Sequence, residues 1–429
     1  MAAYGLAWLF AGVLACGAGA SWHAGETQAG DAATAPATAP SPAVPSPTGS
    51  PGPAPASRPR LGLWVLCEGS QRVLEHPERV PALLDDAAAL GATDLFVQVY
   101  RGGRAWFDSS RADAAPFAAA RDAAGEDPLR ALIAAAHARG LRVHAWVNVL
   151  SLAANRAAPV LRELGPGAVQ VDRRGRSVLD YPGLELPAPD SAFLRVGTPA
   201  IWLDPAAPGV AAWLAATFAE LVSRYPELDG LQLDYLRHPD VLPFSPGSRF
   251  GVGLDFGYGD ATRARFTGET GLAAPSADST ANANEWDAWR RAQVTAVLRS
   301  IRDAALAARP GLVVSAAVWA QPARAYLSLF QDWPGWIDDG LLEFAVPMVY
   351  TTDERLLAIE LASYRGLGAA RLWAGLGVWL FAATPERAAA QLRAARAADL
   401  AGAALFSWDA LSDSPALRAA LAAETARDR

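Results

Sequence analysis

The sequence predicts an α/β protein, a single (β/α)8 TIM barrel over residues 61–429 with long loops at its C-terminal face, preceded by a signal peptide and a disordered linker. Three observations predict it. From Arg60 onward short apolar runs alternate with amphipathic Ala/Leu/Arg segments, the pattern of a parallel sheet with helical crossovers. About eight such units can be counted, as in a closed barrel. Two connections, Leu150 to Pro208 and Leu236 to about Asn284, are much longer than the usual few residues. Both follow the C-terminal ends of predicted strands, where barrel enzymes carry their sites.

Taken in order, residues 1–25 begin with an apolar run of about 15 residues, too short for a final membrane span but right for a signal-peptide core. The run ends Val13-Leu14-Ala15-Cys16, which resembles a lipobox. Cys16 is therefore a candidate lipidation site, and export to the cell envelope is expected. An ordinary cleaved signal peptide, leaving a periplasmic or secreted protein, and a retained membrane helix are the alternatives. Only one other cysteine is present, Cys67, and it falls in the first strand; a disulfide between leader and core is implausible, so Cys67 is read as a small buried thiol. Residues 26–60 are Ala, Pro, Ser, Thr and Gly with almost no large apolar side chain, a composition that forms a tether and not a core.

The barrel units follow. Strands are predicted at Gly62 to Cys67, Asp94 to Tyr100, Leu141 to Val149, Gly230 to Tyr235, Leu312 to Trp319, Leu342 to Tyr350, Arg371 to Val378 and Ala401 to Trp408. Helices are predicted from about Arg79 to Leu90, Asp127 to Arg139, Val210 to Tyr225, Trp286 to Ala308, Trp333 to Asp338, Arg355 to Arg365 and Pro385 to Ala398, with one more at the C-terminus. A doubly wound open sheet is the competing architecture, but no Gly-rich phosphate turn follows the first strand. The net charge of -7 is spread along the body without a basic run, so a nucleic-acid partner is not expected.

Strand parity selects the residues for chemistry. In Asp229-Gly230-Leu231-Gln232-Leu233-Asp234-Tyr235 the leucines share one face and Gln232 and Asp234 the other, which puts Asp234 at the barrel mouth. Arg237 and His238 follow within one turn, so a structural ion pair is the alternative to catalysis. In the third strand His144, Trp146 and Asn148 alternate with Val143, Ala145 and Val147; Asn148, nearest the strand end, is the better substrate contact. Gln98 and Tyr100 share a face of the second strand, and Arg101 opens the turn that follows it. Glycosidic cleavage uses two carboxyl groups. Glu68, Asp353 and Asp409 each follow a strand end, and Asp353 is favoured as the partner of Asp234. The chain has 15 Trp; Trp146, Trp319, Trp379 and Trp408 lie at strand ends, where aromatic faces can stack on sugars. The five His show no His-x-His or His-Glu-x-x-His spacing and no Gly-x-Ser-x-Gly elbow occurs, so neither a metal site nor a serine nucleophile is expected, and no cofactor.

The segments Leu63-Trp64-Val65, Asp127-Pro128-Leu129, Arg139 to Asn148 with its His-Ala-Trp-Val-Asn ending, Trp202-Leu203-Asp204-Pro205, Asp229 to Pro239, Trp336-Ile337-Asp338 and Pro347-Met348-Val349-Tyr350 together resemble the glycosyl-hydrolase-like 10 family. The resemblance implies a barrel hydrolase, often a bacterial envelope lipoprotein, with some relatives acting on peptidoglycan glycan strands. It places the key carboxylate on Asp234, with His144, Asn148 and Tyr350 around the sugar. Two positions depart from the family's pattern: Leu233, where many members carry a second Asp, and Met348, where many carry Gln.

The resulting expectation is a monomeric glycosidase of an envelope or extracellular polysaccharide. Asp234 acts as nucleophile or base and Asp353 as acid. Glu68, Gln98, Tyr100, Arg101, His144, Trp146, Asn148, Arg237, His238, Trp319, Tyr350, Trp379 and Trp408 contact the glycan. A catalytically silent glycan-binding barrel is the alternative, and a metal-dependent deacetylase a third reading.

Overall fold

A computed structural model describes residues 59–244, 254–276 and 278–427. The leader, the lipobox with Cys16 and nearly all of the linker lie outside the described residues. Eight parallel strands build the body: β1 Arg60–Val65, β2 Asp94–Arg101, β3 Arg142–Asn148, β4 Gly230–Asp234, β5 Val313–Trp319, β6 Phe344–Val349, β7 Trp373–Gly377 and β8 Gly402–Phe406. Each pairs with the next in parallel register, and β1 pairs with both β2 and β8, which closes the barrel. Helices α1 Val80–Leu90, α2 Pro128–Ala138, α3 Val210–Arg224, α4 Ala283–Ala308, α5 Trp333–Asp338, α6 Glu354–Ser363, α7 Pro385–Arg396 and α8 Pro415–Ala426 surround it.

The predicted strands and helices recur with ends shifted by a few residues. Additional short elements sit where the sequence shows only loop: the helices Ala115–Ala124, Pro159–Leu164, Asp260–Thr270 and Pro322–Ser328, and an antiparallel ribbon pairing Leu194–Val196 with Val241–Pro243. The C-terminal segment is two helices, Trp408–Asp413 and α8, because Ser414 caps and Pro415 begins the second.

Period-2 alternation divides the strands as expected. Leu63, Val65, Leu95, Val97, Val143, Ala145, Val147, Leu231 and Leu233 join the helix-facing core. Trp64, Phe96, Trp146, Phe344, Val346, Trp373 and Ala404 fill the barrel interior as a separate cluster. Large rings suit this space because they fill it at low conformational cost; Phe344 and Trp373 stack with centroids 4.6 Å apart.

Alternation breaks once in β2, where the register to β3 shifts between Gln98 and Tyr100. A bulge reverses the side-chain direction beyond it. Tyr100 consequently leaves the barrel interior and packs edge-on against Phe218 of α3 at 5.2 Å, fully buried. It is not placed to touch a glycan, contrary to the reading of the sequence.

The closed end of the barrel is organised by Asp94, the first residue of β2. Its fully buried carboxylate accepts from Thr93 Oγ1 (2.6 Å), lies 2.9 Å from His144 Nε2 and pairs with Arg60 and Arg142. Burial alone would raise its pKa, but the hydrogen bond and charge of His144, together with Arg60, outweigh it and hold the carboxyl down at about 2. His144 therefore belongs to the N-terminal end of the barrel, wedged beside Phe96 and Phe344. Its inward parity is as read, yet it stands four residues below Asn148 and the substrate contact assigned to it is withdrawn.

Candidate active site

Asp234 ends β4 at the open face of the barrel and is almost fully buried. Its two oxygens are held by neutral donors: the Tyr235 N–H donates to Oδ1 at 2.6 Å and the Trp146 indole N–H to Oδ2 at 3.1 Å. The first donor is presented by a left-handed turn, since Tyr235 has φ 54°. This is an uncommon conformation for a bulky residue and typical of sites where the chain must redirect a side chain.

No ion pair satisfies Asp234 among the described residues. Arg237, the obvious partner in the sequence, instead donates to the His238 carbonyl and lies 3.4 Å from Asp240. Its guanidinium sits over Trp202, Tyr235 and Trp319. Burial raises the Asp234 carboxyl to about 6, against the lowering effects of the Tyr235 N–H, the Arg237 charge and the Trp146 N–H.

That shift has a consequence for stability. The folded carboxyl has a higher pKa than the unfolded one, so the folded state binds the extra proton between the two values and stability falls as pH rises through that window. At ~1.4 kcal/mol per pH unit, the loss attributable to Asp234 between pH 4 and pH 7 amounts to about 3 kcal/mol. Asp234→Asn removes this component. Denaturant unfolding of both proteins across pH 4 to 8 is expected to show the difference shifting by about that amount in favour of the variant; parallel curves would contradict the buried, titrating carboxyl.

Aromatic rings surround Asp234. Trp146 meets Phe406 at 6.1 Å, Phe406 meets Tyr350 at 5.6 Å and Trp379 at 5.4 Å, and Tyr350 meets Trp379 edge-on at 4.8 Å. Burial, then the charge of Asp234, pushes the Tyr350 hydroxyl well above its ordinary value, which places it within electrostatic reach of that carboxyl. Phe406 was not singled out from the sequence, although parity with Ala404 in β8 carried the signal.

A polar line runs beside these rings. The Gln98 amide donates to Asn148 Oδ1 at 3.2 Å, and the Cys67 thiol to Gln98 Oε1 at 3.2 Å. Asn148 is the register partner of Asp234 across β3 and β4, so the line ends beside the carboxyl. Cys67 is the buried thiol expected.

The other candidates are held elsewhere. Glu68 bridges Arg101 (3.4 Å) and Arg104 (2.7 Å). Asp353 is exposed and caps α6, its Oδ1 accepting from the N–H groups of Arg355 and Leu356; it shares no hydrogen bond or common partner with Asp234 among the described residues. Asp409 is buried and accepts from the N–H groups of Gln71 and Leu66. Trp319 remains partly exposed at the end of β5, between Arg237 and Arg324.

Two expected sugar contacts are corrected. Trp408 is fully buried in the helix layer, its indole N–H donating to Asp86 of α1 at 3.0 Å, because the chain turns into the next helix right after β8. His238 is enclosed beneath the long loops, against the Phe330 ring and 3.3 Å from the Gln170 amide; burial, then Arg290, lowers its pKa well below the usual value. Neither faces the mouth. Among the described residues no group of three His, Cys, Asp or Glu is placed to hold a metal ion.

A closed parallel barrel that gathers a buried carboxyl and aromatic rings at the C-terminal ends of its strands is a TIM-barrel architecture with its site at the usual face. The chain belongs to the glycosyl hydrolase-like 10 family, which it matches over residues 61–365. It is 28% identical over 289 residues to the glycosyl hydrolase DigH of Escherichia coli strain K12, and equally to that of Shigella flexneri; the match covers 62% of this chain and 56% of each relative, so the chain spans little more than half the length of these proteins. Its fold is also that of solved glycosidase barrels. The catalytic domain of a β-amylase from Paenibacillus polymyxa aligns with a TM-score of 0.52 at 13% identity, over 85% of this chain and 98% of that one. An α-L-fucosidase from Paenibacillus thiaminolyticus aligns with a TM-score of 0.54 at 15% identity, over 87% and 49%. The family supports a glycoside-hydrolase-like function, and these neighbours show the fold alone.

Proposed function

We propose that the protein is a glycosidase of an envelope or extracellular polysaccharide, with peptidoglycan glycan strands as the leading substrate class. The observation that carries this reading is Asp234, a buried carboxyl held by two neutral N–H groups and raised to about 6 at the barrel mouth. A carboxyl that keeps its proton up to about pH 6 suits a general acid, which must protonate the departing sugar oxygen. We therefore assign Asp234 the acid role, reversing the sequence-based choice of nucleophile or base. Asp353, the second carboxylate proposed from the sequence, would have to leave its helix cap to serve. Tyr350 and Trp379 would stack on the sugar, Asn148 would bond its hydroxyls, and Trp146, packed inside the barrel, would hold the carboxyl. The DigH relatives are named as glycosyl hydrolases, which supports the reaction class. The apolar leader and Cys16 support an exported protein held at a membrane by a lipid.

A silent glycan-binding barrel is the second reading, favoured by the engagement of Glu68 with arginines and of Asp353 with a helix cap. Incubating the purified protein with peptide-free peptidoglycan glycan and a panel of neutral polysaccharides separates the two. New reducing ends identify an enzyme and its substrate class; retention on a glycan without new ends identifies a binder.

A further inference from the structure

The ribbon formed by Leu194–Val196 and Val241–Pro243 belongs to the two long loops of the open face. Its register sets Leu194 opposite Pro243, Arg195 opposite Leu242 and Val196 opposite Val241. Leu194, Val196 and Val241 pack against the main core, so the other face of the ribbon points outward. Such a face is ordinarily polar. Here the ladder continues one step, with the Phe244 N–H donating to the Phe193 carbonyl at 3.0 Å. Opposed residues project on the same side, which places Arg195 and Leu242 on the outward face, and the rings at its end are both exposed. Phe193 is 69% exposed and Phe244 58%. Neither ring belongs to the buried clusters, and exposing two large rings costs solubility.

The ribbon is tied to the reaction centre. The Gly197 N–H donates to the Asp240 carbonyl at 2.9 Å, and the Asp240 side chain pairs with Arg237, whose charge acts on Asp234. Arg324, over the partly exposed Trp319, lies 3.9 Å from the same Asp240. Phe244 is ten residues from Asp234 in the chain, so it stands within about 35 Å of it. The two rings together expose roughly 250 Å², well short of the ~800 Å² per partner that a specific protein interface buries. That area suits the faces of one or two sugars.

Building on the glycosidase reading, we propose that Phe193 and Phe244 form a remote stacking subsite for a polysaccharide chain whose scissile bond lies at Asp234. The subsite makes the protein prefer long chains. It holds a sugar several residues from the cleavage point, so it contributes to binding of polymer and nothing to the turnover of short substrates.

The test is the double variant Phe193→Ala/Phe244→Ala, assayed on the polymer cleaved by wild type and on an aryl disaccharide of the same sugar. The KM for polymer is expected to rise about tenfold with kcat within about twofold, and the disaccharide kcat/KM to stay unchanged. Unchanged polymer kinetics overturn the proposal, also if binding to anionic phospholipid vesicles is lost. An equal fall on both substrates overturns it too, since that marks a structural role. Retention of Asp234→Asn on insoluble polymer, with and without the two Phe changes, separates the inference from the reading beneath it. Phe-dependent retention together with a wild type that cleaves no glycan leaves the subsite standing and removes the glycosidase.

Discussion

Asp234→Asn is expected to lower kcat on a cleaved glycan by about a thousandfold, with the protein still folded. General acid–base groups contribute on the order of 10² to 10⁴ to rate, and asparagine cannot give up a proton to a leaving oxygen. The substitution is nearly isosteric, so Trp146 and the backbone of Tyr235 keep their positions. Asparagine supplies only one oxygen for the two N–H donors that hold the carboxyl. Unfolding by denaturant at pH 5 therefore serves as the control, showing the loss to be chemical. Turnover of the variant within tenfold of wild type would remove Asp234 from the chemistry.

The second large effect lies at the other end of the barrel. Asp94→Ala is expected to destabilise the protein by about 3 to 5 kcal/mol, the usual result of removing one partner from a buried ionic cluster. Arg60, Arg142, His144 and Thr93 all converge on this carboxylate, and Asp94 is paired with Gly62 where β1 and β2 close the barrel. Because the folded carboxyl is held at about 2, its contribution is present above the ordinary aspartate range and is lost as pH falls toward 2. A shift of the urea midpoint at neutral pH reports it, and a midpoint equal to that of wild type would contradict the cluster's role.

Strand parity made Asp234, Trp146 and Asn148 legible, because a period of two depends only on local geometry. It could not reveal depth. His144 has the same parity as Asn148, yet it points into the closed end, where Asp94, fifty residues away in the chain, holds it. Tyr100 was lost to a bulge between Gln98 and Tyr100, which no spacing announces and which reverses every side chain beyond it. Trp408 sits two residues past the end of β8, where the chain has already turned into a helix and parity no longer applies. The Arg237–Asp240 pair, which leaves Asp234 without an ion pair among the described residues, depends on the turn after β4 and was equally compatible with the opposite pairing. The ribbon bearing Phe193 and Phe244 was hidden because its strands are three residues long and forty-four residues apart, too short for any periodicity to emerge.

The pH dependence of kcat/KM on the cleaved glycan tests the central assignment most directly. If Asp234 is the acid, the profile falls above about pH 6, by roughly tenfold for each further pH unit, as the carboxyl loses its proton. A profile that is flat from pH 5 to 8, or one that rises through pH 6, would contradict it.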